Sequence, residues 1–278
     1  MRWLQIARKD FDDARRERQL YYLLGLFALG GLGLGYIIGG NPGSTSPRTL
    51  PFALLNVFAF LAPISALTIS QADIVGKRST GELSVLLSLP FSRLSIVTGS
   101  YLGRAAVMTA ILAPAFVLAP LVTVLRGAPV DATALLGAFL LVWALGLVFT
   151  AIALGISALT RSTTIAAGGS FGVFLLFVFQ LWTLLPEGVL YLVNGLSWPR
   201  PPLPTWTLVF DQLSPFATLR NLAHPFFTEI LNAFPLAPGS VPPNPPVYQG
   251  PLFAAVATLA WIVLPLAVGY YRFATTDL

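Results

Sequence analysis

Six stretches of this chain contain no charged residue: 20–38, 50–69, 105–125, 134–159, 164–185 and 252–271. Together they cover 128 of 278 residues, where an even spread of the 16 Lys and Arg and 11 Asp and Glu would place roughly a dozen charges. Each reaches the roughly 20 apolar residues that a helix needs to cross a bilayer core. Only 10% of the chain is charged, against about a quarter in soluble domains. A soluble enzyme and a disordered chain are excluded on that pattern, and a disulfide scaffold is excluded because there is no cysteine. The sequence predicts an all-α polytopic membrane protein, a single transmembrane domain over 1–278 with six transmembrane helices.

Lys and Arg are retained on the cytoplasmic side of a membrane, so they orient the helices. With the N-terminus inside, Arg2, Arg8, Lys9, Arg15, Arg16, Arg18, Lys77, Arg78, Arg93, Arg104, Arg161 and Arg272 fall inside, and Arg48, Arg126, Arg200 and Arg220 outside. Twelve against four predicts N-in and C-in. That asymmetry accounts for the net charge of +5 without nucleic acid as a partner.

The N-terminal 1–19 reads as an amphipathic helix on the membrane surface, not a cleavable signal. Trp3, Ala7, Phe11 and Ala14 recur at helical spacing among Arg8, Lys9, Asp12, Asp13, Arg15 and Arg16. The competing reading is a charged extension of the first span. Two connections are long. External 186–250 holds 13 of the 23 prolines, and its more apolar part, 208–234, predicts a short helix lying at the outer surface.

The other long connection, cytoplasmic 70–104, has the order of a helical hairpin. Gly76 and Gly81 bracket a polar turn containing Lys77 and Arg78, and Ser79 precedes Glu82 at the capping-box spacing. Leu83, Leu86 and Leu87 then form one apolar face, and Pro90 stops the helix. That face needs a cover, from a partner or from the chain's own helices.

Chemistry is sparse. The single histidine, His224, stands in the external connection, and no His, Cys or carboxylate set has metal-ligand spacing. No P-loop is present, since Gly76-Lys77-Arg78 lacks both the upstream glycine and the Ser/Thr. The spans hold no ionisable group of the kind an ion-coupled carrier places at mid-membrane. The sequence predicts no catalytic, cofactor or metal site. Gly31/Gly35, Gly35/Gly39 and Gly168/Gly172 are GxxxG pairs that permit close helix approach, first within the bundle and second between copies.

Three segments resemble the type-2 permease family, the membrane-spanning subunits of ATP-binding-cassette exporters. The run Ile74-Val75-Gly76-Lys77-Arg78-Ser79-Thr80-Gly81-Glu82-Leu83, with Leu86-Leu87-Ser88-Leu89-Pro90-Phe91-Ser92-Arg93 and Gly99, is similar to that family's G-E-R-E-x-G-T-L…L-L-s-l-P-v-s-R…G-K stretch. Ser157-Ala158-Leu159-Thr160-Arg161-Ser162 resembles its second cytoplasmic turn, and Leu213-Ser214-Pro215 a motif before its last helix. Lys77, Ser79 and Glu82 replace the pattern's Glu, Glu and Thr, and Ser100 replaces a Lys. The ending, Gly269-Tyr270-Tyr271-Arg272-Phe273 through Asp277-Leu278, resembles the subgroup related to the nitrous-oxide-reductase maturation permease.

The resemblance implies a permease working as a homodimer or heterodimer in the plasma membrane of a prokaryote, driven by a separate cytosolic ATPase that holds the ATP and magnesium. It implies that 70–104 is the coupling segment on that ATPase, with Gly76, Lys77, Arg78, Gly81, Glu82, Leu83, Leu86, Leu87, Pro90, Arg93 and Arg161 at the interface. The competing functions are an ATP-independent transporter or channel and a membrane scaffold.

Overall fold

The structure, a computed structural model, describes residues 2–43, 45–89, 91–227, 242 and 244–275. Among these there is no strand. Five helices are long and apolar enough to cross a membrane: α2 (Arg18–Gly39), α3 (Thr49–Ser70) running on into α4 (Asp73–Ser79), α6 (Arg93–Leu125), α7 (Ala132–Leu159) and α12 (Pro251–Thr275). Around them lie α1 (Arg2–Ala14), α5 (Glu82–Ser88), α8 (Thr163–Val178), α9 (Leu181–Val193), α10 (Thr205–Gln212) and α11 (Pro215–Phe227).

Helix α7 is the centre of the bundle. It packs against α3 on one side and α12 on the other, with α6, α8 and α11 completing the ring. Asp131 caps its start by accepting from the main-chain nitrogens of Thr133 and Ala134, at 2.9 and 3.0 Å. The other oxygen of the same carboxylate meets Arg48 at 3.2 Å, which pins the start of α3 beside the start of α7.

Glycine lets α2 and α6 touch backbone to backbone. A methyl group on Gly31 would lie 2.6 Å from Cα of Ala115, and Thr123 Oγ1 donates to the oxygen of Gly35 at 3.2 Å. The Gly31/Gly35 pair is therefore spent inside the bundle, whereas Gly168 and Gly172 on α8 meet nothing within 4 Å. The aromatic core follows the same path, from Phe27 stacked on Phe58 at 4.8 Å to Phe58 tilted against Phe116 at 6.0 Å.

Two expectations need correction. Window 164–185 is not one straight helix: the chain bends by 76° between α8 and α9, with Gln180 in the left-handed region at φ 56°. Just after the bend, the Trp182 indole stacks on Phe210 at 4.3 Å and donates to that residue's main-chain oxygen at 2.9 Å, which ties α9 to α10. The bundle thus has five spans, or six if the bent pair counts as one.

Nor does the apolar part of 208–234 lie on the surface. Helix α11 packs against both α7 and α12, with α10 folded back beside α9, because Phe216, Leu219, Ala223 and Phe227 make one buried face. At its inner tip Phe216 meets Phe149, which lies about 26 Å along α7 from its start at 1.5 Å per residue. At its other end Phe227 meets Phe52, near the start of α3. Trp261 of α12 donates to the oxygen of Leu213 at 2.7 Å and holds the tip. This packing buries Arg220, Gln212 and Asn221 in the bundle, where the Gln212 side-chain oxygen accepts from Arg220 at 2.8 Å and from Asn221 at 2.9 Å. Residues 228–234 lie outside the described residues.

Candidate functional site

The segment singled out by sequence is the α4–α5 hairpin, and it is rooted on α7. Ile74 and Val75 are fully buried, and the main-chain nitrogen of Val75 donates to Ser157 Oγ at 3.1 Å. Arg78 reaches one turn further and donates to the oxygen of Thr160 at 3.1 Å, beside exposed Arg161.

The turn is built differently from the capping box. Gly81 takes φ 77°, a left-handed conformation open to glycine, and starts α5 without a side-chain cap. Ser79 Oγ instead donates back to the oxygen of Gly76 at 3.0 Å, as does Thr80 Oγ1. Glu82 is then free to accept from Lys9 of α1 at 2.6 Å. Although partial burial opposes it, bonding to Glu82 and Asp13 raises the Lys9 pKa above its ordinary value.

The apolar face predicted for α5 is covered by the chain itself. Leu83 and Leu86 are buried, and Leu87 packs beside them, in a cluster with Ile6, Ile74, Ile96, Val97, Leu154, Ala158 and Phe273. The side that faces outward carries Val85, 63% exposed, and Leu89, 48% exposed, with Leu94 of α6 nearby in sequence and equally open. Sequence periodicity picked the inward face. Pro90 lies outside the described residues.

Arg93, in the first turn of α6, bonds to the oxygens of Phe273 and Ala274 at the end of α12. The Phe273 ring also carries the Arg78 and Arg93 guanidinium groups, 5.8 and 5.3 Å from its centroid. The site therefore gathers the ends of α4, α6, α7 and α12 into one place. Of the anticipated residues, Gly76, Lys77, Arg78, Gly81, Glu82, Leu83, Leu86, Leu87 and Arg93 belong to this assembly, with Arg161 on its rim.

Four residues that periodicity passed over complete it. Lys77 is buried, with its ammonium 2.7 Å from Asp10 of α1, 3.0 Å from Asp73 and 2.7 Å from Ser100 of α6. Arg104 of α6 meets Asp73 at 3.3 Å. Only the Asp73–Lys77 spacing of four residues was a signal in the sequence. The α1 face buried here includes Asp10 as well as Ile6, Ala7 and Ala14, and it packs on α6. A polar cavity of about 300 Å³ opens beside the cluster, lined by Asp13, Glu17, Asp73, Lys77 and Arg104 among others. Among the described residues no group of three or more His, Cys, Asp or Glu is placed to hold a metal ion.

The family model described as ABC-2 family transporter protein matches residues 4–278. The chain is 31% identical over 277 residues to the “Probable ABC transporter permease protein NosY” of Pseudomonas aeruginosa, covering 96% of each chain. It is 32% identical over 213 residues to the protein of the same name from Stutzerimonas stutzeri, covering 74% of this chain and 76% of that one.

Proposed function

This chain belongs to the ABC-2 family of transporter proteins and is a membrane permease, and on that premise we propose that it forms the translocation path of an exporter driven by a separate cytosolic ATPase. The α4–α5 end of the bundle faces the cytoplasm, because twelve of the sixteen positive residues belong to that side. Two copies of the permease, identical or not, enclose the path, and α1 lies at the inner membrane surface of a prokaryotic plasma membrane. ATP and magnesium are held by the ATPase.

The observation that carries this reading is the outward ridge of Val85 and Leu89 on a hairpin whose own core is already closed. Exposed aliphatic side chains on a short polar-flanked helix are surplus to folding and suit a partner's groove. The root on Ser157 and Thr160 then gives a docked ATPase a direct hold on α7.

The test is co-expression with a cytosolic ATPase of the ATP-binding-cassette class, followed by co-purification. Val85→Asp with Leu89→Asp is expected to abolish capture of the ATPase while membrane insertion and thermal stability of the permease are kept. Capture at the parental level by the double variant overturns the docking surface.

A further inference from the structure

Lys77 sits on α4, yet its ammonium is shared by three helices. It donates to Asp10 Oδ2 on α1 at 2.7 Å and to Ser100 Oγ on α6 at 2.7 Å, with Asp73 Oδ1 of its own helix at 3.0 Å. Asp73 is in turn bridged to Arg104 on α6. The Lys77, Asp10 and Asp73 side chains are almost wholly enclosed, and two carboxylates balance two cations. Removing one member leaves a buried charge without compensation.

Shape and charge act on α1 together. A methyl group on Gly99 of α6 would lie 2.7 Å from Cβ of Ile6, and one on Gly103 would lie 2.9 Å from Cβ of Asp10. So α1 is seated on α6 by close approach, and bound to the hairpin by Lys77 within and by the Lys9–Glu82 pair at the rim. Ser100 stands on the α6 wall facing Lys77, so an ammonium carried at position 100 would reach the same point from the other side.

We infer that Asp10 and Lys77 are positioning residues that clamp α1 to the coupling hairpin, so that α1, α4–α5 and the start of α6 move as one body. Movement with the ATPase rests on the function proposed above; the clamp itself does not. Asp10 supplies the acid from α1, Ser100 and Arg104 contribute from α6, and a stroke on the hairpin is delivered to α6 through α1 as well as to α7.

The chain contains no cysteine, so Lys9→Cys with Glu82→Cys gives a clean pair for a short homobifunctional maleimide in membranes of the full-length protein. In this background Asp10→Asn and Lys77→Ala are each expected to slow cross-linking at least fivefold. Adding Ser100→Lys to Lys77→Ala, which returns an ammonium from the other wall, is expected to restore the rate to within twofold of the parent. Rates for Asp10→Asn and Lys77→Ala within twofold of the parent overturn the clamp. Should Lys77→Ala accumulate poorly, recovery by Ser100→Lys but not by Ser100→Met supports it, and equal recovery by both overturns it. With the ATPase bound, ATP is expected to leave the parental rate unchanged and to alter that of Lys77→Ala. An ATP-dependent change in the parent refutes movement as one body. Failure of the ATPase to co-purify with the parent refutes the proposed function and leaves the cross-linking test of the clamp intact.

Discussion

Arg93 binds Phe273 twice: its guanidinium donates to that residue's main-chain oxygen and lies over its ring, 5.3 Å from the centroid. The first turn of α6 is thereby fastened to the last turn of α12, where unpaired carbonyls and the helix dipole both favour a cation. Arg93→Ala is expected to cost about 1–2 kcal/mol locally, from the capping and cation–π contributions together. Hydrogen exchange over 270–275 should then quicken roughly tenfold. Arg93→Lys should recover part of that protection, since one ammonium cannot serve the carbonyls and the ring at once.

Leu86 separates packing from docking. Because it is buried among Ile74, Ile96 and Phe273, Leu86→Asp is expected to destabilise the permease by about 3 kcal/mol or more with no partner present. Val85→Asp should leave stability within about 0.5 kcal/mol, because that side chain is 63% exposed. Thermal denaturation of the purified permease alone reads the difference; equal losses for the two variants would mean that Val85 is packed as closely as Leu86.

At the far end of the bundle, the bonds that Asp131 accepts from Ala134 and Thr133, with Arg48 beside it, hold its carboxyl below the usual Asp pKa. A lowered carboxylate pKa contributes stability that is complete above the unfolded value of about 3.9 and is lost as pH falls through the folded one. Asp131→Ala should remove about 1 kcal/mol of cap at neutral pH. The gap from the parent should narrow as the pH of the melts is taken down below about 3.9.

Charge exclusion made the spans legible, because a charge in hydrocarbon is costly enough to leave its mark at every position. Boundaries of α2, α3, α6, α7 and α12 follow the charge-free windows, with α6 extending twelve residues back to Arg93 on a Ser92 cap. The bend at Gln180 was not legible. It is accompanied by a bond from Trp182 to Phe210, 28 residues along the chain, and an uninterrupted apolar run carries no sign of that partner. Packing of α11 into the bundle was hidden for a related reason: a segment with Gln212, Arg220 and Asn221 reads as external until those groups are seen to satisfy one another. At the hairpin, Leu83 and Leu86 showed which residues share a face, but not whether the cover came from inside or outside. Asp10 illustrates the limit most plainly. It looks like one more surface acid of a charged helix, and it is buried because Lys77, 67 residues away, is buried with it.

Helix α7 contains no proline, whereas α3, α6 and α12 carry Pro63, Pro114 and Pro120, and Pro265 within their lengths. Prolines are where helices yield. The helix that receives Val75 at Ser157 and meets the inner tip of the α10–α11 hairpin at Phe149 is thus unbroken by proline over about 42 Å, while α3, α6 and α12 beside it are not. A push applied at the Ser157 end has little to absorb it before Phe149. The root of the hairpin and the tip of α11 thus share one proline-free helix, while the proline breaks fall in its neighbours.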